Sequence, residues 1–132
     1  PKLDGGALTQ LAFNAMRPVE LDHVVSQDKV GNPPHPLPPT GEGFVRVDSR
    51  QIALVTWKSA EDGNGSILRL QEIAGQPTEV SLRFPHWHIA SAHLCSGVED
   101  NLKSLPVTNN GVRLSFSPFQ VLTIRVNGRP VD

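Results

Sequence analysis

Seven short runs along the chain concentrate apolar residues as β-strands require: ALTQLAF (7–13), GFVRV (43–47), IALVTW (52–57), SILRLQE (66–72), TEVSLRF (78–84), GVRLSF (111–116) and VLTIRV (121–126). They are rich in Val, Ile, Leu, Thr and Phe and too short for ordinary amphipathic helices. Successive side chains of a strand point to opposite faces. Val80, Leu82 and Phe84 therefore share one face, and Glu79, Ser81 and Arg83 the other. Val112, Leu114 and Phe116 oppose Arg113 and Ser115 in the same way, and Leu122, Ile124 and Val126 oppose Thr123 and Arg125. One apolar side per strand predicts antiparallel strands that cover a single core.

The links between runs carry turn chemistry. Ser49-Arg50-Gln51 is a tight connection. Asp62-Gly63-Asn64-Gly65, Ala74-Gly75-Gln76-Pro77 and Asn109-Asn110-Gly111 supply residues that tolerate positive φ and are expected to close hairpins. With 12 prolines and 11 glycines spread as punctuation at intervals of about 8 to 14 residues, the pattern predicts an all-β antiparallel sandwich, immunoglobulin-like, of about seven or eight strands. Residues 31–39, GNPPHPLPP, contain five prolines. Proline lacks a backbone donor and holds φ near about −65°, so this stretch is expected to run as an extended connector over the sandwich. Ser96 to Ser104 is the one stretch read as a short helical turn.

Length and charge narrow the picture. A chain of 132 residues fits one domain, 1–132, with one core. Twelve Lys and Arg against 13 Asp and Glu leave a formal charge of −1, which provides no field to hold nucleic acid or an anionic membrane. No apolar run approaches the roughly 20 residues of a membrane helix. Pro1 in place of an initiator Met reads as a fragment of a longer or processed polypeptide, with any targeting signal upstream. Cys95 is the only cysteine; it excludes an internal disulfide and a thiolate metal cluster, fits a cytoplasmic location, and is expected to be a buried structural residue.

The densest charge lies in WKSAEDGNGSILRLQE (57–72). Glycosidases place two carboxyls about 5 to 10 Å apart on one sugar ring. Glu61 and Asp62 are neighbours in a turn, where side chains diverge, so they make a poor catalytic pair. Asp62-Gly63 instead opens a hairpin loop, and Lys58, Glu61, Arg69 and Glu72 can pair across strands or bind a covering partner. His86 and His88 share a strand face, but His93 falls on the opposite face of an unbroken strand, and only a bulge would bring it round. Two histidines do not complete the shell that zinc takes, and no metal site is expected in the segment. Trp57 and Trp87 are candidate sugar-stacking platforms, with core packing the alternative for each. No catalytic residue is assigned: no serine elbow, phosphate-cradling glycine loop or HExxH run is present.

Two segments together resemble a known family. Lys58-x-Ala60-Glu61-Asp62-Gly63 followed by Ile67-Leu68-Arg69-Leu70-x-Glu72, and Ser117-Pro118-Phe119-Gln120-Val121-Leu122-Thr123-Ile124-Arg125, are similar to the C-terminal β-sandwich of glycoside hydrolase family 38, the α-mannosidases. Ala12-Phe13-Asn14 looks like the first strand of that region. Gln120 departs from the family's usual Glu, and Gln71 from a usual aromatic residue. The resemblance implies an accessory, non-catalytic domain of an enzyme that cleaves α-D-mannosides. Its zinc ion and nucleophilic aspartate belong to a separate catalytic domain. On this reading the partner is the rest of the same polypeptide, with carbohydrate and a second copy of the parent as further candidates. Lys58, Glu61, Asp62, Arg69 and Glu72 would be the docking edge. Two other readings stand beside it, an autonomous carbohydrate-binding module using Trp57 and Trp87, and an immunoglobulin-like interaction domain.

Overall fold

The structure, a computed structural model, describes residues 4–16 and 43–131; the proline-rich stretch 31–39 lies outside them. In chain order the elements are α1 (Gly5–Met16), β1 (Arg46–Val47), β2 (Ile52–Ser59), β3 (Ser66–Glu72), β4 (Thr78–Arg83), β5 (Trp87–Cys95), β6 (Asn101–Leu105), β7 (Val107–Thr108), β8 (Gly111–Phe116) and β9 (Val121–Pro130). All strand pairs are antiparallel. One sheet has the order β1-β4-β8-β7 and the other β2-β3-β9-β5-β6.

Alternation decides which residues meet between the sheets. Val80, Leu82, Phe84, Val112, Leu114 and Phe116 come from the four-stranded side, and Ile52, Leu68, Leu70, Ala92, Ile124 and Val126 from the five-stranded side. Leu68, Leu70, Leu82 and Ile124 are fully buried. Each such side chain contributes roughly 2 kcal/mol relative to exposure, before the entropy of ordering it is subtracted. The period-two pattern predicts the inward faces of β4, β8 and β9 among these, and the antiparallel sandwich follows from them.

Three local expectations need correction. Residues 7–13 form a helix, not a strand. Asp4 caps it, its Oδ1 accepting the backbone N–H groups of Gly6 at 3.0 Å and Ala7 at 3.3 Å. The run that follows is Ala, Leu and Gln closed by Phe13, with a single β-branched residue, Thr9, which suits a helix once its first turn is satisfied. The segment 96–104 holds a turn and then β6 rather than a helical turn. Residues 74–77 do not close a hairpin: they carry the chain from β3 in one sheet to β4 in the other. By contrast, Asn109 and Asn110, with φ of 50° and 57°, form the two-residue loop between β7 and β8, the left-handed pair that a hairpin twist favours.

β5 escapes the sequence pattern because a bulge breaks its alternation. Its pairing with β9 shifts register between Ile89 and Ser91. Trp87 and Ile89 on one side of the bulge, and Ala92 and Leu94 on the other, thereby all pack on the same core. β2 uses the same device, with a shift between Leu54 and Thr56 that turns Trp57 towards the core.

Candidate functional site

On the five-stranded sheet, the face away from the core is covered at one end by chain. Neighbouring partners on that face include Lys58, Ile67, Arg125 and His93 in one row, and Arg69, Thr123 and Cys95 in the next. Arg125 is 4 % exposed and Thr123 6 %, although both oppose the core residues of β9. The reason is the loop 96–100, which folds back over them. Arg125 Nη2 donates to the Glu99 carbonyl at 2.9 Å, and Arg69 Nη2 donates to the Gly97 carbonyl at 3.1 Å.

The loop 60–65 meets this cover from the other side. Arg125 Nη1 reaches both Asp62 oxygens, at 2.8 and 2.7 Å, and the Asn64 carbonyl at 2.8 Å. Lys58 Nζ lies 2.5 Å from Glu99 Oε1 and 3.2 Å from Glu61 Oε1, while Glu99 Oε2 accepts the Glu61 N–H at 2.9 Å. Glu99 takes φ of 71°, a left-handed conformation that costs a non-glycine residue about 1 kcal/mol or more, and the contacts of its side chain hold it there.

The charges tune one another. The hydrogen bond to Glu99, then that to Glu61, raises the Lys58 ammonium above its ordinary value. The Lys58 bond, then the Glu61 N–H, holds the Glu99 carboxyl below the usual range. Asp62 is likewise depressed, first by the Asn64 N–H and then by Arg125, and Arg125 is raised, first by Asp62. All four groups stay ionised at neutral pH.

Glu72 stands apart. It lies at the far end of β3, five positions from Ile67, which is about 17 Å along a strand. It is fully buried. Its Oε1 accepts the Ala74 N–H at 2.8 Å, and its Oε2 accepts those of Gly75 at 2.8 Å, Phe119 at 2.9 Å and Gln76 at 3.3 Å. Burial by itself would raise this carboxyl. The four N–H groups outweigh burial and hold it below its ordinary value. Glu72 thus ties the sheet-to-sheet crossing 73–77 to the 117–120 corner, where Gln120 Oε1 in turn accepts the Ser117 N–H at 2.8 Å.

The sequence-predicted residues therefore divide. Lys58, Glu61 and Asp62 gather at one end together with Arg125 and Glu99. Arg69 is beside them, its Nε donating to Thr123 Oγ1 at 3.3 Å. Glu72 is a buried structural carboxylate at the other end. Glu99 and Arg125 carry no local signal that could have singled them out, since their partners lie 26 to 63 residues away in sequence.

Trp57 and Trp87 are partly buried and pack against the core. Trp57 also receives Phe44 edge-on, with ring centroids 5.9 Å apart and planes at 87°. The bulge in β5 does place His88 and His93 on one face. Their partners on β9, Arg129 and Arg125, are four positions apart, which separates the histidines by about 13 Å and prevents joint ligation of one ion. Among the described residues no group of three or more His, Cys, Asp or Glu is placed to hold a metal. The Cys95 thiol is buried, with Sγ 3.3 Å from Asn101 Oδ1.

Compared with known proteins, residues 51–124 match the family model described as the glycosyl hydrolases family 38 C-terminal beta sandwich domain. No curated protein matches the chain. The matched span runs from the start of β2 into β9 and takes in the Glu72 corner and the charged end up to Ile124, one residue short of Arg125.

Proposed function

From the premise that this chain belongs to the glycosyl hydrolase family 38 C-terminal beta sandwich domains, we propose that it is the non-catalytic accessory module of an enzyme hydrolysing α-D-mannosides, docked on the catalytic part of the same polypeptide through the end where loops 60–65 and 96–100 meet. The observation that carries the docking reading is the Lys58–Glu99–Arg125–Asp62 network. Buried Arg125 and Glu99 fix the two loops, while Glu61 is 81 % exposed and Asp62 57 % exposed at the rim. Carboxylates held by a rigid base lose little side-chain freedom when a partner donates to them, and charge-assisted bonds of that kind favour docking.

On this reading the family's zinc belongs to the catalytic part of the parent enzyme, and the sandwich contributes no chemistry of its own. The role of the sandwich is positional: it would set the packing of the catalytic part and border its cleft or a subunit contact.

The test is hydrogen exchange on residues 58–65 and 97–100 in the parent enzyme and in the isolated chain, together with mannosidase assays of Glu61→Ala and Asp62→Ala in the parent. Slower exchange of these residues in the parent and a loss of activity or stability in the variants are expected. Equal exchange in both forms, with both variants unchanged, would rule the docking end out.

A further inference from the structure

The opposite side of the sandwich, on the outer face of the four-stranded sheet, has a cleft of about 430 Å³ lined in part by Ser81, Arg83, Pro106, Thr108, Asn109 and Arg113. Alternation puts it there: Leu82, Val112 and Leu114 fill the core, so Ser81, Arg83 and Arg113 must face outwards. Ser81 is the direct partner of Arg113, and Arg83 that of Gly111, so the two arginines are diagonal neighbours within about 8 Å. Neither Arg83 nor Arg113 takes part in an ion pair among the described residues; the nearest carboxylates are Asp48, whose Oδ1 accepts the Ser81 N–H at 2.8 Å, and Glu79, both beyond the cleft's own lining.

Gly111 lines the cleft between the arginines, where the two strands approach closely. A Cβ there would lie 2.7 Å from the Leu82 carbonyl oxygen. Thr108 and Asn109 at the hairpin turn supply one wall and Pro106 an apolar second one.

We infer that this cleft binds an anionic saccharide, a sugar unit bearing a phosphate or carboxylate group. Two guanidinium forks converge on the oxyanion, the Ser81 and Thr108 hydroxyls and the Asn109 carboxamide meet ring hydroxyls, and the Pro106 ring takes a C–H face. Arginine forks match planar carboxylate and phosphate edges in a way that a point charge does not. The volume lies within the range of small-ligand sites and suits a single substituted hexose. No aromatic side chain lines the cleft, which disfavours a nucleobase as the recognised group. The site is independent of the docking reading, because it lies on the other sheet and faces the other way.

The experiment is an NMR titration of backbone amides in the 132-residue chain with glucose 6-phosphate, glucuronate, glucose, inorganic phosphate and a short poly-glutamate peptide. Glucose 6-phosphate and glucuronate should saturate with shifts confined to residues 81–83 and 106–113, at least about tenfold tighter than glucose or inorganic phosphate. Arg83→Met combined with Arg113→Met should abolish that binding while the remaining spectrum is unchanged, and Arg113→Lys should weaken it. Three results overturn the inference: inorganic phosphate binding as tightly as the sugar phosphate, saturation by poly-glutamate alone, or sugar-anion binding that survives the double variant. Absence of any saturable shift at about 20 mM ligand does the same, since that is weaker than a two-arginine site should give.

Discussion

The carboxylate of Glu72 accepts the backbone N–H of Phe119 at 2.9 Å across 47 residues of sequence. The same carboxylate holds three N–H groups of the 74–76 turn. One fully buried side chain thus replaces the hydrogen bonds that two crossing loops cannot make to each other.

Truncating that side chain leaves four part-buried backbone donors without their acceptor. Glu72→Ala is expected to cost about 3 kcal/mol or more, and Glu72→Gln about 2 kcal/mol, because the amide keeps one acceptor but turns its NH₂ towards donors. Urea unfolding of the isolated chain measures both. A loss under about 0.5 kcal/mol for Glu72→Ala would contradict the role assigned to it.

Acid sensitivity follows from the depressed carboxyls of Glu72, Glu99 and Asp62. A group whose folded pKa lies below its unfolded value stabilises fully above the unfolded value and loses that contribution as pH falls through the folded one. The unfolding free energy should therefore be level above about pH 6 and fall steadily below about pH 5, the unfolded carboxyl titrating near 4. Glu72→Gln should flatten the acid limb. Denaturation at a series of pH values decides this, and a limb equally steep in the variant would exclude Glu72 as a source.

Gly75 and Phe119 constrain each other. Both have positive φ, 71° and 60°, and a Cβ on Gly75 would lie 2.6 Å from Phe119 Cζ. Gly75→Ala is expected to cost about 2 kcal/mol from left-handed strain and the ring clash together. In a double-mutant cycle with Phe119→Ala the clash component should vanish, which makes the pair less than additive. Strict additivity would show that the ring had moved aside at no cost.

Lys58 is the neutralising partner of a nearly buried Glu99. Lys58→Met leaves that carboxylate with the Glu61 N–H at 2.9 Å but no cation beside it, so it should destabilise the chain more than Glu61→Gln, which removes only an exposed partner. The unfolding midpoints of the two variants give the order directly. Equal midpoints would mean that solvent takes over the Lys58 role.

Much of the core was legible because alternation is a local property. Val80, Leu82 and Phe84, Val112, Leu114 and Phe116, and Leu122, Ile124 and Val126 needed no knowledge of their partners to be assigned one face. The β5 strand was not legible: its bulge lets Ile89 and Ala92 share a face three residues apart, which period two forbids. Residues 7–13 were misread because their apolar content was weighed without the Asp4 cap that lets a helix start. The charged end was half legible. Lys58, Glu61 and Asp62 stood out as a cluster, but Arg125 and Glu99, which hold that end together, were indistinguishable from ordinary outward-facing charges.

Side-chain alternation and turn residues determined the inward faces of β4, β8 and β9 and so the sandwich, because these depend on residues within a few positions of one another. Which sheet each strand joined, the conversion of the 74–77 turn into a crossing, and the burial of Glu72, Glu99 and Arg125 were decided only when distant loops closed. A carboxylate or guanidinium is read as solvated until another segment covers it, and nothing within its own strand says which segment that will be.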